Sequence, residues 1–117
     1  MNMMSKLTLA TLTLAVGAVF SQTAAAAGDV AAGEKKSQPC QACHGKDGNA
    51  TIDPQYPRLA GQFADYLAKS LRDYKSGARK NAVMLGFATT LSEQDIEDLS
   101  AYYASLPGDL EDLSHYK

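Results

Sequence analysis

The sequence predicts an all-α fold of a few short helices joined by loops rich in glycine and proline. Two observations carry this. Apolar residues recur at helical spacing over 59–76 and 92–106, so that each segment has a stripe down one face. Glycine and proline gather between and at the ends of the periodic segments, where they punctuate regular structure. No run alternates with the period of two that a half-buried strand requires.

The first residues are of another kind. Lys6 is the only charge ahead of an almost wholly apolar or small stretch, Leu7 to Phe20, which is followed by Ser21, Gln22, Thr23 and four alanines. A basic start, an apolar run and an A-x-A site are the parts of a secretory signal peptide, expected over residues 1–27 with cleavage after Ala27. A membrane span needs about 20 apolar residues, more than this run supplies, and no cysteine stands at the junction to take a lipid. The remaining 90 of the 117 residues, 28–117, form one small exported domain; in a bacterium its destination is the periplasm. Once Lys6 is gone, ten basic residues face thirteen acidic ones, a formal charge of −3. That balance disfavours a general nucleic-acid role.

Asp29 to Ser37 suits a short first helix with Asp29 as N-cap, and Pro39 is expected to stop it. Then comes C-Q-A-C-H, Cys40 to His44. C-x-x-C-H is the pattern that attaches haem c. Two thiols add across the two vinyl groups of the porphyrin, and two intervening residues let one tight turn present both sulfurs. The imidazole that follows comes up beneath the iron as proximal ligand. These are the only cysteines, and His44 is one of two histidines. Three other readings stay open at the motif. A Cys40–Cys43 disulfide would close a tiny loop and stabilise little. A thioredoxin-like dithiol would need a β-α-β context. A zinc site needs about four ligands, and only His115 could join these three.

Gly45 to Arg58 reads as loop, with two glycines and two prolines. Leu59 to Ser76 reads as helix, its apolar face formed by Phe63, Leu67, Leu71 and Tyr74, and Gly77 is a C-cap candidate. Residues 78–91, A-R-K-N-A-V-M-L-G-F-A-T-T-L, read as loop. Ser92 to Leu106 is the clearest helix: Ser92 and Asp95 give the S-x-x-D start, acidic residues crowd its N-terminal end, and Ile96, Leu99, Tyr103 and Leu106 form its stripe. Pro107 and Gly108 end it.

Met84 is the only methionine downstream of the leader. A thioether is a good sixth ligand for haem iron and raises its reduction potential; filling a gap in a small core is the alternative use. His115, in the polar tail, is the rival ligand. Pro57 is placed to offer a backbone carbonyl to His44, which would orient the ring, or is an ordinary loop proline. Lys69, Arg72, Lys75, Arg79 and Lys80 form a basic run that either meets haem propionates and a negatively charged partner or is a solvated helix face.

C-Q-A-C-H-G-K-D-G-N, Y-P-R-L-A-G-Q, K-S-G-A-R, M-L-G-F and L-S-E-Q-D-I-E-D-L-S-A-Y-Y, in that order, resemble the successive signatures of class I c-type cytochromes. The likeness is to short periplasmic mono-haem members and to single halves of di-haem bacterial ones. It implies a cytochrome c fold around one covalently bound haem c. It implies thioether bonds at Cys40 and Cys43, axial ligation by His44 and Met84, and Pro57 as acceptor for the proximal imidazole. It also implies that Gly33 lets the first helix cross the last, against Tyr102 or Tyr103. The tail from Gly108 to Lys117 has no counterpart in these signatures, and one motif allows one haem in this chain.

The expected function is one-electron transfer in the periplasm, with both axial positions filled, no enzymatic activity and no small-molecule substrate. The partners are then redox proteins, with docking to membrane respiratory complexes among the expectations. Two alternatives stand beside it: an electron-input subunit of a larger oxidoreductase, and a haem enzyme or gas-binding protein with a displaceable distal ligand.

Overall fold

The computed structural model describes residues 27–110; the expected leader, apart from Ala27, and His115 lie outside the described residues. Five helices follow one another: α1 Val30–Lys36, α2 Gln38–His44, α3 Ala64–Ser76, α4 Ala82–Ala88 and α5 Glu93–Ser105. There is no strand among the described residues.

Asp29 caps α1 as expected, accepting a hydrogen bond from the Ala32 N–H at 2.8 Å. Pro39 does not end a helix before the cysteine motif. The break falls at Ser37, and Pro39 stands in the first turn of α2, where a missing N–H would have had no intrahelical partner anyway. Cys40 and Cys43 therefore sit three residues apart on a helix, on one face of it, rather than on an isolated turn.

Helix α1 crosses α5 at Gly33. A Cβ on Gly33 would fall 2.0 Å from the Asp98 carbonyl oxygen and 2.7 Å from Tyr102 Cβ, so the two backbones meet with no room for a side chain. The crossing partner is Tyr102, which leaves Tyr103 turned elsewhere. A buried carboxylate locks the crossing. Asp98 accepts from the Asp29 N–H at 2.8 Å, from Lys36 Nζ at 2.6 Å and from Gln94 Nε2 at 2.8 Å. Lys36 also pairs with Asp95 at 2.7 Å. The Asp29 amide first, then Lys36 and Gln94, hold the Asp98 carboxyl below its ordinary range. Asp95, bonded by Lys36 and by Ser92, is held down to about 2.

Helix α3 begins at Ala64, not Leu59. The preceding residues are pinned into a turn: Gly61 adopts φ 74°, its N–H donates to the Tyr103 carbonyl at 3.0 Å, and the Leu59 N–H donates to the Gly48 carbonyl at 2.8 Å. Phe63 becomes an extended N-cap and is 63% exposed, so it does not belong to the buried face. Leu67 is buried and Leu71 and Tyr74 are half-buried. Gly77, with φ 80° in the left-handed region, ends the helix as expected.

The stretch 78–91 is not all loop. Asn81 Oδ1 accepts the Met84 N–H at 3.0 Å and starts α4, which packs on α3. Its sequence, AVMLGFA, is apolar all round, so it has no amphipathic period from which a helix could be read. Helix α5 carries the full capping box between Ser92 and Asp95. Leu67, Leu99, Tyr102 and Tyr103 form the buried core, with Cys40, Leu59, Leu71, Leu91 and Leu106 against it.

Candidate haem site

Helix α2, the loop after it, α3, α4 and α5 wall a cleft of about 1080 Å³. Cys40, Cys43 and His44 line it from α2, Pro57 from the loop and Met84 from α4. All five residues named from the sequence therefore share one cavity, although Met84 is far along the chain from the cysteines. Much of the remaining wall is apolar: Ile52, Tyr66, Val83 and Phe87 border the cleft yet stay exposed. Apolar side chains gathered around an open cleft mark a ligand site.

His44 is buried, and its Nδ1 lies 2.8 Å from the Pro57 carbonyl oxygen. A carbonyl can only accept, so Nδ1 carries the proton and the lone pair is on Nε2, the state a metal requires. The Tyr56 ring meets the imidazole edge-on, with centroids 6.4 Å apart and planes at 71°. The loop that carries Pro57 is itself tied down. Asp47 accepts the N–H groups of Asn49 and Ala50 at 2.9 and 2.8 Å; the Ala50 bond first, then Asn49, lowers its carboxyl. Ile52 N–H donates to the Cys43 carbonyl at 3.2 Å. The acceptor for His44 is thus held relative to the cysteine helix.

Both cysteines are half-buried. Two hydroxyls of α5, Ser100 and Tyr103, border the cleft and are sealed from solvent with no hydrogen-bond partner. The basic run divides. Lys69 pairs with Asp73, Arg72 with Glu93 at 2.8 Å and with Glu97, and Lys75 with the Leu91 carbonyl. These side chains join α3 to the α5 side or to α3 itself. Arg79 alone of the five borders the cleft, its guanidinium 4.8 Å above the Tyr74 ring centroid.

Paired thiols, an imidazole with its free lone pair fixed on Nε2, a thioether and an apolar cleft form the donor set of a covalently held haem. The family model for cytochrome c matches residues 30–107. The chain belongs to the cytochrome c family. Among its relatives, the cytochrome c4 of Pseudomonas aeruginosa is 48% identical over 102 residues, 87% of this chain and 49% of that protein. The cytochrome c-554(548) of Halomonas halodenitrificans is 50% identical over 82 residues, 68% of this chain and 98% of the relative. In the crystal structure of reduced recombinant cytochrome c4 from Pseudomonas stutzeri, the matching part has a TM-score of 0.67 at 44% identity and covers 72% of this chain and 48% of that one. The chain spans about half the length of the cytochromes c4 it matches. Its fold is the cytochrome c fold and its cofactor is haem c, covalently attached.

Three features of this cytochrome c site were not read from the sequence. Helix α4 carries Met84, and Asn81 three residues before it was the available N-cap signal. Tyr56 stands against the imidazole, with nothing in its spacing to mark it. Tyr103 was read only as part of an apolar stripe, although a tyrosine on a buried face brings a hydroxyl that needs a partner.

Proposed function

We propose that this protein is an electron carrier, with Cys40 and Cys43 holding the haem by thioether bonds and His44 and Met84 as its axial ligands. The observation that carries the proposal is the convergence on one cleft of the cysteine helix, an imidazole whose Nδ1–H is committed to Pro57, and Met84. The haem supplies reversible one-electron cycling of its iron. The protein's part is to hold and bury it. The Pro57 carbonyl makes His44 a stronger donor and fixes its ring. Met84, which lines the same cleft, would hold the iron opposite His44, and a thioether there would favour electron transfer without bond making, raise the potential and shut out small ligands. No substrate is transformed. The relatives' names support carrier rather than enzyme, and redox proteins are the partners this chemistry serves. Residues 1–27 serve as a cleaved leader, which places the carrier in the periplasm.

One preparation tests this. The purified protein keeps its haem through acid–acetone extraction, has the mass of a chain starting near Gly28 plus one haem, and in the ferric state shows the weak sulfur-to-iron band at the red edge of the spectrum. Haem that washes out, or a distal site that readily binds carbon monoxide and turns over peroxide, overturns the carrier reading.

A further inference from the structure

Arg79 stands between α3 and α4 and borders the cleft. Its place is fixed from two sides. Its backbone N–H donates to the Asp73 carbonyl at 3.0 Å, and its guanidinium lies 4.8 Å above the Tyr74 ring centroid. Stacking takes up a face of the guanidinium and leaves its in-plane N–H groups for acceptors. Among the described residues only Nη1 is engaged, by the neutral Ser70 hydroxyl at 3.3 Å. Ser70 and Tyr74 border the cleft as well. No carboxylate of the described residues reaches Arg79: Asp73 is taken by Lys69, and Glu93 and Glu97 by Arg72. Helix α4, which packs on α3, brings no charge. In a chain whose acidic residues outnumber its basic ones, this leaves a stacked guanidinium at the cleft with its carboxylate-binding fork open.

The group this cleft receives carries carboxylates of its own. They are the haem propionates, on the edge of the porphyrin opposite the vinyl groups. Cys40 and Cys43 draw the vinyl edge to α2. The α2 backbone comes close to neither α3 nor α4, so the cleft separates the cysteine helix from the wall that holds Arg79. We propose that Arg79 is a haem-binding residue whose guanidinium pairs with a propionate carboxylate and thereby raises the reduction potential. An unpaired propionate is a negative charge near the iron and favours the ferric state; a guanidinium on it offsets that field. The planar fork matches a carboxylate with two parallel N–H···O bonds, and Tyr74 and Ser70 hold the fork in place beforehand. The inference rests on the haem being attached at Cys40 and Cys43.

The test uses the haem-loaded protein, Arg79→Gln, Arg79→Lys and Lys80→Gln. Lys80 is exposed and outside the cleft wall, so its variant loses the same charge away from the haem. The reduction equilibrium constant of Arg79→Gln against a fixed mediator falls about two- to fifteenfold, the range for one unit charge acting over about 10 Å at effective dielectric constants from about 80 to about 20. Lys80→Gln moves it less. The propionate bending band in the resonance Raman spectrum, which responds to hydrogen bonds at the carboxylate, shifts in Arg79→Gln and stays in Lys80→Gln. Arg79→Lys keeps the charge and loses the fork, so its potential stays near wild type while the band shifts. With haem still bound through acid–acetone, a band unmoved in both Arg79 variants, or a fall in Lys80→Gln as large as in Arg79→Gln, overturns the pairing alone. Should Arg79→Gln not fold, the band of Arg79→Lys decides. Loss of haem from wild type on extraction defeats the attachment reading together with this one.

Discussion

Met84 shows how little a single residue type says on its own. A methionine in a small core is ordinary gap filler. Here it lines the same cleft as His44, and the His44 Nδ1–H is already committed to Pro57 at 2.8 Å, so one donor atom on each residue is free for iron. Replacing Met84 by alanine removes the proposed distal ligand and little else, because the side chain is only half-buried. The ferric sulfur-to-iron band is then lost, ferrous protein binds carbon monoxide, and the reduction potential falls; spectra and a redox titration read all three. If the spectrum and potential stay as they were, another residue holds the iron. The Pro57 carbonyl was legible from the sequence as a possibility only. Nothing in spacing says that a loop proline thirteen residues on will turn its oxygen to a given ring nitrogen.

At the scale of elements, the decisive contact is α1 against α5. Two helix backbones touch only where no side chain intervenes, and Gly33 provides that. A Gly33→Val chain must move the Asp98 carbonyl, which a Cβ would approach to 2.0 Å. Neither backbone has anywhere to go, so the loss falls in the range above about 4 kcal/mol that marks a disrupted core, and thermal unfolding of the holoprotein reads it. Gly86 makes the control. Nothing lies within 4 Å of a Cβ built there, and it sits inside α4, so Gly86→Ala stabilises by about 0.5–1 kcal/mol. Equal effects at the two sites would refute this account of the crossing. The S-x-x-D start of α5 and the Asp29 cap of α1 were readable because capping is local chemistry. The start of α3 was not, because the Gly61 N–H is drawn to the Tyr103 carbonyl, a partner far along the chain.

Over the whole molecule, a small core is joined by a charge cluster that ties α1 to α5. Asp95 and Asp98 both titrate lower in the folded chain than their ordinary 3.8. Unfolding in acid therefore takes up protons, and the stability these groups contribute is complete above about pH 4 to 5 and is lost as pH falls towards 2. Asp98→Asn removes a buried charge from its three donors and costs about 1–3 kcal/mol at neutral pH. The gap in melting temperature between wild type and Asp98→Asn narrows as pH drops from 5 to 3. A gap that stays constant across that window would show that Asp98 acts through shape and not charge. The acidic start of α5 is met by basic side chains from both neighbours: Lys36 reaches it from α1 and Arg72 from α3.

The sequence by itself determined the haem-attachment motif and the helices α1, α3 and α5, whose stripes or caps are local. Cys40, Cys43 and His44 are a covalent pattern complete within five residues, and helical stripes, caps and left-handed glycines are written within a few residues of where they act. The tertiary structure alone decided which atoms meet: Met84 carried on α4, the Pro57 oxygen against His44, and Tyr102 rather than Tyr103 against Gly33. It also decided that Lys69, Arg72 and Lys75 are held by protein groups, leaving Arg79 at the cleft. The reason is range. Hydrophobic period and capping are set by neighbours in sequence, whereas an apolar segment such as AVMLGFA becomes a helix only when α3 gives it a surface to pack on, and Tyr103 is buried only when α5 packs against α1 and α3.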